Sequence, residues 1–151
     1  MKICSFFGHR NVETDGTLYS KTKKSILEAL ALGCRIFYFG GYGEFDRLCY
    51  KIVTEIKEKT QEFEIFRIFC VPQERDLRKK SRHFNPEDYE RVIYLEPSFA
   101  GWYKSIYFRN CAMIDKSDVV IFYAESREES GAYKAYKYAK SKHKTIFNLY
   151  E

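Results

Sequence analysis

The sequence lacks the features that would tie it to a metal, a disulfide framework or a membrane. Its five cysteines (Cys4, Cys34, Cys49, Cys70 and Cys111) contain no CxxC pair. An odd count without framework spacing points to reduced thiols in a cytosol-like compartment. The three histidines, His9, His83 and His143, do not cluster, so no metal site is expected, and no cofactor either. No stretch approaches the roughly 18 apolar residues of a membrane span. The apolar run before Gly8 is five residues long, too short for a signal peptide, and a cytoplasmic location without membrane contact is expected. There is no internal repeat, low-complexity tract or linker, so residues 1–151 read as a single domain.

What is present is the composition of a globular protein. Apolar residues make up 45% and charged residues 31%, enough to bury a core and stay in solution. The 13 tyrosines and 13 phenylalanines are numerous, and most of them are expected in the core or in pocket walls. The net charge of +5 permits an anionic partner without identifying one. Basic clusters at 21–24, 75–83 and 134–144 are interleaved with other residue types, as solvated faces are.

Strand-like and helix-like segments alternate from end to end. Strands are expected at 3–7, 35–39, 64–71, 91–95, 118–123 and 145–149. Helices are expected at 17–32, from the "GGYG" segment to 59, at 102–116 and at 131–142, with a short helix opened by Pro86. The strands are nearly continuous in apolar residues, which means a parallel sheet covered on both faces. The fold class is therefore α/β, a Rossmann-like three-layer α/β/α sandwich with a mainly parallel sheet. The segment 73–97 is polar, basic and hard to assign, and is expected to serve as a lid or partner surface.

Sheets of this kind bind ligands beyond the carboxyl ends of their strands. Three polar or glycine-containing loops fall there. Gly8-His9-Arg10-Asn11 follows the first strand, with a guanidinium fork suited to phosphate or carboxylate. Gly40-Gly41-Tyr42-Gly43-Glu44-Phe45-Asp46 follows the second. Glycines at a helix N-terminus expose amides to an anion, but Glu44 and Asp46 already answer the helix dipole. Asp46 is thus expected either to cap its helix or to meet ribose hydroxyls or a base. The third loop, 125–131, ends in Ser130-Gly131, where a helix begins: a serine cap or an anion site. Arg109 and Asn110 interrupt an apolar helix and need partners if that helix is covered, as scaffolding or as ligand contacts. This is neither a Walker loop nor GxGxxG.

Taken in order, these motifs are Gly8-His9-Arg10, Gly40-Gly41 with Asp46, Arg109-Asn110 with Met113-Ile114-Asp115 and Asp118, and Ser130-Gly131. The order resembles the SLOG superfamily of Rossmann-like nucleotide-binding domains, named for the DNA-processing protein Smf and the "Lonely Guy" phosphoribohydrolases. The spacing is closest to that of its small stand-alone bacterial members. In the Smf-like branch the same places read Gly-Ser-Arg, Gly-Gly-Ala-Arg-Gly-Ile-Asp, Arg-Asn-Arg and Ser-Gly. The likeness runs from Lys2 to Leu149 and implies a ligand pocket at Gly8, His9, Arg10, Gly40, Gly41, Gly43, Asp46, Arg109, Ser130 and Gly131. It implies a nucleotide or a nucleotide-derived signal such as an ADP-ribose-like molecule, and a homodimer or higher homo-oligomer. Lonely Guy enzymes carry Pro-Gly-Gly-x-Gly-Thr-x-x-Glu. Here Glu44 replaces the threonine and Arg47 the catalytic glutamate, which speaks against cytokinin-type hydrolysis. Many members also carry Gly-Gly-Thr where this chain has Glu129-Ser130-Gly131.

Three functions follow. The first is a binding module that senses or sequesters a nucleotide. It needs the three loops and no catalytic set, with Phe7, Tyr42, Phe45, Trp102 and Tyr103 as possible stacking rings. The second is an N-glycoside hydrolase or transferase with Asp46, Glu125 or Glu129 as its carboxylate and His9 as acid. The third is single-stranded nucleic-acid binding, suggested by the basic clusters and aromatics.

Overall fold

The computed structural model describes residues 1–9, 12–13, 15–41, 43–72, 85–95 and 102–150, leaving aside the side chains of 102–105. Arg10, Tyr42 and most of 73–97 lie outside these residues, as do the side chains of Trp102 and Tyr103.

The chain begins with β1 (Lys2–Gly8), in which Cys4 to Phe7 are all buried. Asp15 then caps α1 (Gly16–Ala31), its carboxylate accepting the Leu18 amide at 2.9 Å. Gly33, at φ 105°, turns the chain out of that helix into β2 (Cys34–Phe39). α2 (Gly43–Lys59) carries Glu44 and Asp46 in its first turn and Lys57 and Lys59 in its last, both favourable to the helix dipole. β3 (Phe66–Val71) follows. A 3₁₀ turn at Pro86–Asp88, capped by Asn85, leads into β4 (Arg91–Tyr94). α3 (Trp102–Lys116), β5 (Val119–Tyr123), α4 (Gly131–Ser141) and β6 (Thr145–Asn148) complete the order.

All six strands are parallel, in the order β4-β3-β2-β1-β5-β6. The period of two along each strand sends alternate residues to opposite faces. On β5, Val119 and Ile121 join the core under α1 and α2, packed with Ile26, Leu48 and Ile52. Val120 and Phe122 join the core under α3 and α4, with Met113, Ile114 and Ala135. The alanine stripe Ala132, Ala135, Ala139 is buried and lets α4 lie close to the sheet. The expected α/β/α sandwich is present, and its sheet is parallel throughout. Because β1 sits in the middle, the chain moves one way to β2 and returns on the other side as β5. That reversal opens a crevice at the carboxyl ends of β1 and β5.

Candidate functional site

The crevice is a cavity of about 510 Å³, lined from β1, both flanking loops, α3 and the start of α4. Of the expected site residues, Gly8, His9, Gly40, Asp46, Arg109, Ser130 and Gly131 line it together. Gly41 and Gly43 instead border a smaller neighbouring cavity of about 210 Å³, which Asp46 also lines. Arg10 lies outside the described residues. Volumes of this order suit a small ligand or one nucleotide unit.

His9 closes the seam between the first and third loops. Its backbone amide donates to the Tyr123 carbonyl at 3.3 Å, extending the β1–β5 ladder by one residue. Its ring Nε2 accepts the Glu125 amide at 2.6 Å, and Nδ1 lies 3.2 Å from the Ser130 hydroxyl. An amide can only donate, so Nε2 is unprotonated and the ring proton sits on Nδ1, directed at Ser130. Burial holds the ring below its ordinary pKa of 6.5, and the nearby Arg127 guanidinium adds to this while Glu125 opposes it. The imidazole is neutral and both of its nitrogens are engaged. It acts as a strut between loops, which argues against the acid role.

Ser130 caps α4, its hydroxyl accepting the Tyr133 amide at 3.3 Å. The first-turn amides of a helix have no intrahelical acceptor, so the cavity wall at Gly131 carries the positive end of the α4 dipole. Lys134, one turn further on, and Arg127 bring cationic side chains to the same wall. Lys134 stands four residues after the cap, and that spacing was the available signal for it.

The second loop is gripped from both faces of the sheet. From α2, Asp46 turns back on its own loop: Oδ1 accepts the Gly40 amide at 3.3 Å and Oδ2 the Gly41 amide at 3.0 Å. From α3, Arg109 Nη1 donates to the carbonyls of Gly40 and Cys70, at 3.1 and 2.9 Å. Its Nε and Nη2 donate to Asn110 Oδ1 at 3.1 and 2.9 Å. Arg109 is 2% exposed, and through these bonds it joins the ends of β2 and β3 to α3. The scaffolding expected of Arg109 is therefore observed. The Gly40 and Gly41 amides bond to Asp46, which agrees with the expectation that Glu44 and Asp46 keep an anion from this loop.

Gly8 also has a packing reason. A Cβ there would fall onto the Phe45 side chain, so the small residue at the end of β1 makes room for α2. Phe45 is fully buried and Phe7 nearly so, which places both of these expected stacking rings in the core. Among the three candidate carboxylates, Glu125 accepts from the Tyr150 hydroxyl at 2.9 Å and pairs with Arg127. Those two bonds hold its carboxyl below the ordinary range. Asp46 is bonded to its loop, and Glu129 is exposed at the cavity wall. No group of histidine, cysteine and carboxylate side chains that could hold a metal occurs among the described residues. No helix among them is long and apolar enough to cross a membrane.

No protein-family model matches the chain, and no curated protein matches it by sequence. Its fold is similar to that of DNA processing protein A. Against the Helicobacter pylori protein, solved to show its single-stranded DNA binding mode, the TM-score is 0.61 at 18% identity. That match covers 99% of this chain and 66% of the other. Against the Streptococcus pneumoniae protein the TM-score is 0.61 at 13% identity, over 97% of this chain and 50% of that one. At such identities the likeness is one of fold, and the chain spans half to two thirds of these neighbours. The architecture that the SLOG resemblance implied is thus met at the level of the Rossmann-like fold.

Proposed function

We propose that this domain is a nucleotide-recognition module, and that the crevice between β1 and β5 takes one phosphate-bearing nucleotide unit. The observation that carries the reading is the convergence of the α4 N-terminus, Arg127 and Lys134 on one cavity at the switch point of a parallel sheet. The phosphate belongs at Gly131, and the sugar and base extend towards Asp46 and α3. Two sources can supply such a unit. A free nucleotide or an ADP-ribose-like signal fits the cavity volume, and the domain then works as a sensor or sequestering module.

The second source is single-stranded DNA. It is favoured by the fold likeness to the Helicobacter pylori protein and is compatible with the net charge of +5. A hydrolase reading has less support, because Asp46 and Glu125 already have partners and Glu129 alone stands uncommitted among the described bonds. Self-association into a dimer or higher oligomer stays part of the proposal.

The test is a thermal-shift titration with nucleoside mono- and diphosphates, ADP-ribose and oligodeoxynucleotides at low and high salt. Stabilisation that grows with the logarithm of nucleotide concentration supports the crevice. Steep loss of oligonucleotide binding with salt marks the strand as the ligand. Release of free base that disappears in Glu129→Gln would make the domain an enzyme. No response to any of these ligands overturns the reading.

A further inference from the structure

The segment that follows β6 keeps its place beside β5 and reaches the third loop. Leu149 donates its amide to the Phe122 carbonyl at 2.7 Å, so the pairing continues past the last residue of β6. The Asn148 side chain brackets Ala124, its Oδ1 accepting the amide and its Nδ2 donating to the carbonyl, both at 3.0 Å. Tyr150 then meets His9 and Tyr123 at near right angles, with ring centroids 6.5 and 5.4 Å away. Its hydroxyl donates to Glu125 Oε1 at 2.9 Å. The other oxygen of that carboxylate accepts from Nε and Nη2 of Arg127, which lines the cavity.

One relay therefore runs from Tyr150 through Glu125 to the cavity wall. The Glu125–Arg127 pair is neutral as a whole, so its value to a phosphate lies in where the guanidinium donors stand rather than in net charge. The Arg127 side chain is half exposed, and an exposed pair of long side chains holds one geometry only at an entropic cost. The Tyr150 hydroxyl adds a constraint by holding the carboxylate through its other oxygen. Among the described bonds none uses Arg127 Nη1, which leaves that donor for a ligand.

We infer that Tyr150 is a positioning residue of the crevice, acting through Glu125 to hold the Arg127 guanidinium ready for a phosphate. The inference rests on the crevice taking a phosphate-bearing unit. It gives Glu125 a role, as the joint of the relay, that needs no chemistry at its carboxylate.

The experiment is a double-mutant cycle on the intact chain, read as affinity for adenosine 5′-monophosphate by calorimetry. Tyr150→Phe keeps the ring and removes only the hydroxyl, so the melting temperature should stay nearly unchanged while affinity falls about fivefold. Arg127→Gln should cost about tenfold. Adding Tyr150→Phe to Arg127→Gln should cost nothing further, whereas adding it to Lys134→Gln should again cost about fivefold. A loss that persists in the Arg127→Gln background overturns the relay, because Tyr150 would then act by packing on the loop. Unchanged or tighter binding in Tyr150→Phe overturns it too and leaves the crevice intact. If the wild type does not bind the mononucleotide, the crevice reading falls and the relay falls with it.

Discussion

The carboxyl end of the sheet is closed at two places, and the two closures differ in chemistry. Over β2 and β3, Asp46 and Arg109 come from helices on opposite faces and meet at Gly40, one bonding its amide and the other its carbonyl. Over β1 and β5, one neutral imidazole bonds two points of a single loop. The first closure uses a buried permanent cation whose charge does not change near neutral pH. The second uses a titratable ring at the lip of the cavity. The permanent clamp joins the ends of β2 and β3 to α3, and the titratable ring lies on the cavity wall.

The largest effect should come from the clamp. Arg109→Met removes the bonds to the Gly40 and Cys70 carbonyls and to Asn110 Oδ1, and is expected to cost about 3–5 kcal/mol in urea unfolding. Arg109→Lys should recover only part of this, since an ammonium cannot reproduce the planar fork. Equal recovery by lysine would mean that charge alone holds the seam.

Next in size is Asp46. Asp46→Ala removes the bonds to the Gly40 and Gly41 amides, a loss of about 1–3 kcal/mol. Asp46→Asn should cost nearly as much, because its amide nitrogen would face one of the two N–H groups. If Asn instead preserves stability and only weakens nucleotide binding, the carboxylate serves the ligand more than its loop. Ser130→Ala follows, at about 1 kcal/mol for the lost helix cap. It also leaves the His9 proton without its acceptor and should lower nucleotide affinity. Ser130→Asn keeps the cap and separates the two effects.

The fold could be read almost entirely from the chain, because apolar strands and striped helices alternate without interruption. Boundaries shifted where a neighbour decides them: β3 was expected from Glu64, yet its ladder begins at Phe66, opposite Ile36 of β2. Ile65 is buried all the same, so hydrophobicity marked the core correctly and the strand too generously. The site was readable as loops but not as bonds. A carboxylate in the first turn of a helix looks the same in sequence whether it faces a ligand or turns back on Gly40 and Gly41. His9 beside a glycine likewise signals a ligand contact, and only the approach of Glu125 and Ser130, more than a hundred residues away, identifies it as a strut.

The smallest effect is the one that separates the two closures most cleanly. His9 has a lowered pKa in the folded protein, mainly through burial. Between that lowered value and its ordinary 6.5, the unfolded chain binds more protons than the folded one. Stability contributed by this ring therefore rises with pH across that window and levels off above it. Protonating Nε2 would set an N–H against the Glu125 amide and break that bond, so nucleotide affinity should fall over the same window. In His9→Gln, the side-chain oxygen can take the Glu125 amide and its NH2 can face Ser130, with nothing left to titrate. The stability difference between wild type and His9→Gln, measured by urea midpoints from about pH 5 to 8, should slope only on the acid side. The same difference taken for Arg109→Met should be flat, since the guanidinium stays charged and the thioether stays neutral throughout. A flat His9 curve would mean that the ring is a passive spacer, and the two closures would then differ in strength alone.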